Sequence, residues 1–149
     1  MPDACVERLR VADLIVHAGD LSSVAFLAEL RALGPPVEAV AGNADEPALK
    51  AILPVERVVE VEGARIAITH VPGPAGGRDA RLLRRFPDCD AIVYGHTHVA
   101  VAERVDGVWI LNPGSPTERR RASLGHSMLE LRIEGAAMEP VLVELSPRL

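Results

Sequence analysis

Five side chains with metal-binding chemistry occur in this chain in one recurring setting, just after a short apolar run. His17-Ala18-Gly19-Asp20, Gly42-Asn43-Ala44-Asp45, Thr69-His70 and Gly95-His96-Thr97-His98 supply Asp20, Asn43, His70, His96 and His98. Carboxylate, carboxamide and imidazole ligands suit Mn, Fe, Ni or Zn better than Ca or Mg, whose sites are mainly oxygen. Two such ions, roughly 3.5–4 Å apart, can activate a water and stabilise both oxygens of an in-line displacement at phosphorus. Asp20 is the natural bridge, since one carboxylate can offer an oxygen to each of two cations. Taken singly, each residue has a plainer reading. Asp20 can be a turn or cap residue, Asn43 and Asp45 can belong to a turn, and His70 can be a satisfied polar group at a strand end. Their order and common placement favour the metal reading.

Positioning these residues requires short strands that end in loops. Ala4 to Arg10 reads as the end of an amphipathic helix, and Asp13 to His17 as a buried strand delivering Asp20. Ser22 or Ser23 caps a helix carrying Val24, Leu27, Leu30 and Leu33, which Gly34-Pro35-Pro36 ends. Val37 to Ala41 forms the next strand and Pro47 to Leu53 a short helix. That alternation predicts parallel strands with helices packed on them, whose carboxyl-end loops converge on one crevice.

Further on, Arg57 to Val61 and Ala64 to Thr69 flank a Glu62-Gly63 turn, and Asp79 to Phe86 is helical. Ala91 to Tyr94 is a strand, Val99 to Val105 and Val108 to Leu111 form a hairpin, and Met128 to Ile133 and Val141 to Leu145 close the fold. His96 and His98, two apart in an extended segment, are expected to point to one face. The expected architecture is one α/β domain over residues 1–149 with two β-layers.

Composition narrows the class. Hydrophobic residues make up 48% and aromatics only 3%, so the core must be aliphatic. The net charge of −5 argues against a general nucleic-acid binder. An anionic substrate stays compatible, because bound cations would dominate the local field. The dense basic run Arg119-Arg120-Arg121 reads as a solvated loop. Cys5 and Cys89 form no framework, which points to structural thiols in a reduced, cytoplasmic setting. No run approaches the roughly 18 apolar residues of a membrane-spanning helix. Edge strands in the terminal hairpins leave a homo-oligomer open.

These motifs, with Asn112-Pro113-Gly114-Ser115, resemble the calcineurin-like metallophosphoesterase superfamily, in its small bacterial and archaeal phosphodiesterase branch. The resemblance implies a sandwich of two β-sheets flanked by helices, with a di-metal site at one end. It implies that Asp20 bridges two divalent transition-metal ions, that Asn43, His70 and His96 serve one, and that His98 serves the other. Mn is the first expectation, with Ni, Fe or Zn as alternatives. Asn43 and Asp45 are also candidate substrate contacts. Ala44 stands where many superfamily members carry a leaving-group His, and Val71-Pro72-Gly73 follows His70 where a Gly is common. His17 is expected to be structural, and His126 has no motif partner.

The superfamily opens with a strand ending in Asp-x-His, which this chain does not match. A first strand lies centrally in doubly wound sheets, and its loss leaves unpaired backbone groups. The expectation is therefore an internal start at Met1, with roughly 20–30 residues upstream at usual element lengths. The intact mass of the native protein checks it. The leading function is a metal-dependent phosphodiesterase acting on a small phosphoester. The alternative is a catalytically impaired or non-catalytic binding module on the same fold.

Overall fold

A computed structural model describes residues 1–118 and 125–145; the Arg119-Arg120-Arg121 run falls outside them. The first half alternates α1 (Asp3–Arg10), β1 (Ile15–His17), α2 (Val24–Arg31), β2 (Val37–Ala39) and α3 (Pro47–Ile52). Local chemistry explains the helix starts. Ser23 accepts a hydrogen bond from the Phe26 N–H at the head of α2, and Pro47 sits in the first turn of α3, where its missing N–H costs nothing. The second half contains β3 (Glu56–Val61), β4 (Ala64–Thr69), α4 (Arg78–Arg85), β5 (Ala91–Tyr94), β6 (Val101–Val105) and β7 (Val108–Asn112). The hairpin of β8 (Ser127–Glu134) and β9 (Ala137–Glu144) completes it.

Backbone pairing groups the strands into a mixed sheet of order β3-β4-β5-β7-β6 and two separate pairs, β1-β2 and β8-β9. In the larger sheet β4, β5 and β7 run parallel, with antiparallel β3 and β6 at the edges. Alternation along β4 decides what covers each face. Ala67 points to a cluster with Leu82 and Phe86 of α4. Ile66 and Ile68 point the other way, toward Leu129 and Leu131 of β8 and toward Val16 and Val40 respectively. Both strand pairs thus pack on one face of the five-stranded sheet and form the second layer of a sandwich. Helices α2 and α3 cover β1-β2 through Leu27, Leu30, Ala39 and Leu49, while α1 covers β8-β9 through Cys5, Met128 and Leu145. The interior is aliphatic, as composition requires. Each fully buried side chain such as Ile68, Ile92 or Leu111 contributes about 1.5–3 kcal/mol of transfer free energy.

Some element ends move from their expected places. The strand before Asp106 begins at Val101 rather than Val99, because Gly95 to Ala100 forms a loop. The last strand runs over Ala137–Glu144 rather than Val141–Leu145, with Pro140 opposite Leu131. A proline is tolerated there because β9 pairs only with β8 and needs no donor on its outer edge. Cys5 and Cys89 are free and buried, and burial pushes both thiols above their ordinary pKa. Among the described residues no helix is long and apolar enough to cross a membrane.

Candidate metal centre

Three loops at strand ends form the centre: that after β1 carries Asp20, that after β2 carries Asn43, and that after β5 carries His96. His70 immediately follows β4. Close backbone approach makes the meeting possible. A Cβ on Gly42 would lie 2.1 Å from Asp20 Oδ1, and one on Gly19 would lie 2.7 Å from His70 Nδ1. Only glycine fits at either position.

Asp45 ties the first two loops together. Its carboxylate, 4% exposed, accepts hydrogen bonds from the backbone N–H of Gly42 at 2.6 Å, Ser22 at 2.7 Å and Asp20 at 3.2 Å. In return Asp20 Oδ1 accepts from the Ala44 N–H at 2.8 Å. Both Asp45 oxygens are thus committed to loop backbone.

The ligand atoms then converge. His70, 3% exposed, places Nδ1 2.7 Å from the Ala18 carbonyl. A carbonyl only accepts, so Nδ1 donates to it and Nε2 is the ring nitrogen turned towards the other loops. Nε2 lies 2.8 Å from Asn43 Oδ1 and 3.2 Å from Asp20 Oδ2. His96 Nδ1 lies 2.9 Å from the same Asn43 oxygen. A carboxylate likewise only accepts, so its approach to Nε2 needs a proton or a cation between the two atoms. Ligand-to-ligand separations of 2.8–3.2 Å also match the edges, about 3 Å, of a polyhedron with metal–ligand bonds near 2.0–2.2 Å. The residues present therefore fit a divalent cation. The backbone hydrogen bond to Nδ1 is the usual second-layer support of a ligating imidazole. Among the described residues no three His, Cys, Asp or Glu side chains assemble a ligand group by themselves. The Asn43 amide oxygen completes this one.

Four of the five sequence candidates are thus joined, and the fifth has a different neighbour. His98 Nδ1 lies 3.2 Å from Glu118 Oε2, an ion-pair separation without hydrogen-bond geometry. The extended His-x-His expected from the sequence is a loop instead, with positive φ at both His96 (66°) and His98 (56°). The same-face argument therefore does not apply. Asp20, at φ 61°, shares this costly conformation, and such strain gathers at functional sites. Asn112, fully buried, holds the histidine loop by donating to Gly95 O and Thr97 Oγ1. Lys50 donates to the Asn43 carbonyl at 2.7 Å. Sequence reading assigned Lys50 no role, since a lone lysine on a short helix carries no signal. His17 stays outside the cluster; burial lowers its pKa to about 4, and its Nδ1 has no hydrogen-bond partner.

Known proteins show the family and the fold. A family model described as the calcineurin-like phosphoesterase superfamily domain matches residues 1–135. A probable metallophosphoesterase of Methanothermobacter thermautotrophicus is 34% identical over 145 residues, covering 96% of this chain and 82% of the relative. A phosphodiesterase of Methanocaldococcus jannaschii is 28% identical, with 68% of this chain spanning 66% of its length. In fold, the chain is similar to Vps29 of Entamoeba histolytica, solved as a complex with zinc. The TM-score is 0.76 at 23% identity, over 98% of this chain and 91% of the other. With a family model spanning most of its length and these strand-end motifs in place, the chain belongs to the calcineurin-like phosphoesterase superfamily.

Proposed function

We propose that this protein is a metal-dependent phosphodiesterase in which Asp20, Asn43, His70 and His96 hold a divalent ion. Asp20 and His98 would hold a second ion. The observation that carries the reading is the convergence of His70 Nε2, its ring held through Nδ1 by the Ala18 carbonyl, on the Asn43 and Asp20 oxygens. The phosphodiesterase relative supports the reaction class.

Cations bound there supply Lewis-acid stabilisation of the phosphoryl oxygens and make a water acidic enough to serve as nucleophile near neutral pH. The protein's own contribution is placement. Ala18 holds the His70 tautomer, Asp45 locks the loops of Asp20 and Asn43, and Asn112 holds the loop of His96. Asn43 and His96 are exposed while His70 is buried, so a phosphoester can approach from the open side. Mn is the first metal to test, with Zn, Ni and Fe beside it.

The test is hydrolysis of bis(p-nitrophenyl) phosphate with added Mn, alongside metal content by elemental analysis. Metal-dependent turnover that His70→Ala abolishes is expected. A metal-loaded protein inert towards phosphodiesters would sink the catalytic reading and favour a binding module.

A further inference from the structure

We propose that the cleft beside Asn43 and His70 continues into a cationic groove that holds a second phosphate group of the substrate. The inference rests on the phosphodiesterase reading and names the class of molecule: a phosphoester bearing a further phosphate beyond the scissile one.

The cleft has a volume of about 290 Å³ and is lined by Asn43, Lys50, Val55, His70, Val71 and Arg85. A neighbouring depression of about 460 Å³ shares Val71 and Arg85 and adds Pro72, Pro74, Arg81 and Arg84. The shared wall makes one path from the candidate ligands to the arginines of α4. Arg81, Arg84 and Arg85 stand three and four positions apart on that helix, so they occupy one side of it. Four cations thus line a groove on a chain whose net charge is −5.

Little offsets that charge. Among the described residues only Arg85 of the four has a carboxylate partner, Glu56. Lys50 donates to the Asn43 carbonyl, and Arg81 donates to the carbonyls of Pro74 and Gly76. Carbonyl partners orient a cation without neutralising it, so Arg81, with Nε buried and its terminal nitrogens on these carbonyls, adds charge to the groove. The exposed Arg84 guanidinium beside it is suited to phosphate oxygens. Val55, Val71 and Pro72 provide apolar wall for the organic spacer between the two phosphates. A diester with a neutral leaving group would use none of these charges.

Thymidine 3′,5′-bisphosphate and thymidine 5′-phosphate, titrated calorimetrically into the Mn-loaded protein, test the proposal. Neither carries a diester, and released inorganic phosphate, measured alongside, checks that monoester turnover does not interfere. The bisphosphate is expected to bind about tenfold more tightly. Arg84→Glu, at an exposed position with no hydrogen bond or ion pair among the described residues, should cut that preference to about threefold or less, and added salt should shrink it further. Equal affinities in the wild type, or a preference untouched by Arg84→Glu, overturn the groove. Bis(p-nitrophenyl) phosphate read in parallel separates the two claims. Turnover without the preference removes the groove alone, and the preference without turnover removes the catalytic reading alone.

Discussion

Replacing Asp45 should loosen the centre by a predictable amount. The buried hydrogen bond to the Gly42 N–H is the costliest to lose, because no water replaces it. A buried donor left unsatisfied costs about 1–3 kcal/mol, and bonds to a charged acceptor lie at the upper end. The Ser22 and Asp20 N–H groups are part-buried and can recover water, so each adds about 0.5–1 kcal/mol. Asp45→Ala should therefore destabilise the metal-free protein by about 3–5 kcal/mol in urea unfolding. Asp45→Asn keeps the shape but turns one acceptor into a donor. One carboxylate oxygen serves Ser22 and the other serves both Gly42 and Asp20, so either amide orientation strands at least one N–H. Its cost should be about 1–2 kcal/mol. Both variants should also weaken Mn binding in calorimetry, since the loops of Asp20 and Asn43 lose their tie. Asp13→Ala, at an exposed site, is the control and should stay within about 0.5 kcal/mol. An Asp45→Ala protein within 1 kcal/mol of wild type, on the order of the control's scatter, would refute the clamp.

Three further outcomes are expected. Excess Mn should stabilise the wild type by about 2.7 kcal/mol at a hundredfold excess over its Kd, and His70→Ala should lose that response; an unchanged thermal shift would remove His70 from the ligand set. Gly42→Ala should cost about 1–3 kcal/mol and at least about tenfold in Mn affinity, because its Cβ must displace Asp20 Oδ1; a variant that binds Mn normally would contradict the close approach. His17 has a native pKa of about 4 against an ordinary 6.5, so the unfolded state binds more protons between those values. Its contribution is present above pH 6.5 and lost as pH falls toward 4; full conversion gives about 3 kcal/mol, of which about 1–2 kcal/mol falls between pH 7 and pH 5. Metal-free wild type should therefore lose more stability than His17→Gln between pH 7 and pH 5, and equal losses would show that His17 does not carry the effect.

Strand positions were legible where the apolar pattern was uninterrupted, as in Ala91 to Tyr94, whose backbone is paired on both sides. They blurred where pairing rather than pattern decided. Glu139 and Pro140 break the alternation of the last strand, yet the ladder with β8 carries through them. Among the site residues, Asp20, Asn43, His70 and His96 were readable because each stands at the end of an apolar run. The role of Asp45 was not, since a carboxylate that accepts from three loop amides has the same local sequence as one in a turn. The unequal fates of His96 and His98 were hidden too. Alternate residues share a face only in extended backbone, and positive φ at both histidines removes that premise.

The sequence by itself determined the ligand types, their order, the α/β class and the aliphatic core, because these follow from residue chemistry and periodicity. The tertiary structure decided which atoms meet. Loops from four distant segments come within about 3 Å only through contacts that no local pattern encodes. It also decided which ring nitrogen of His70 faces the site. The Ala18 carbonyl lies 52 residues away in the chain, and only folding brings it against Nδ1 and leaves Nε2 facing the oxygens of Asn43 and Asp20.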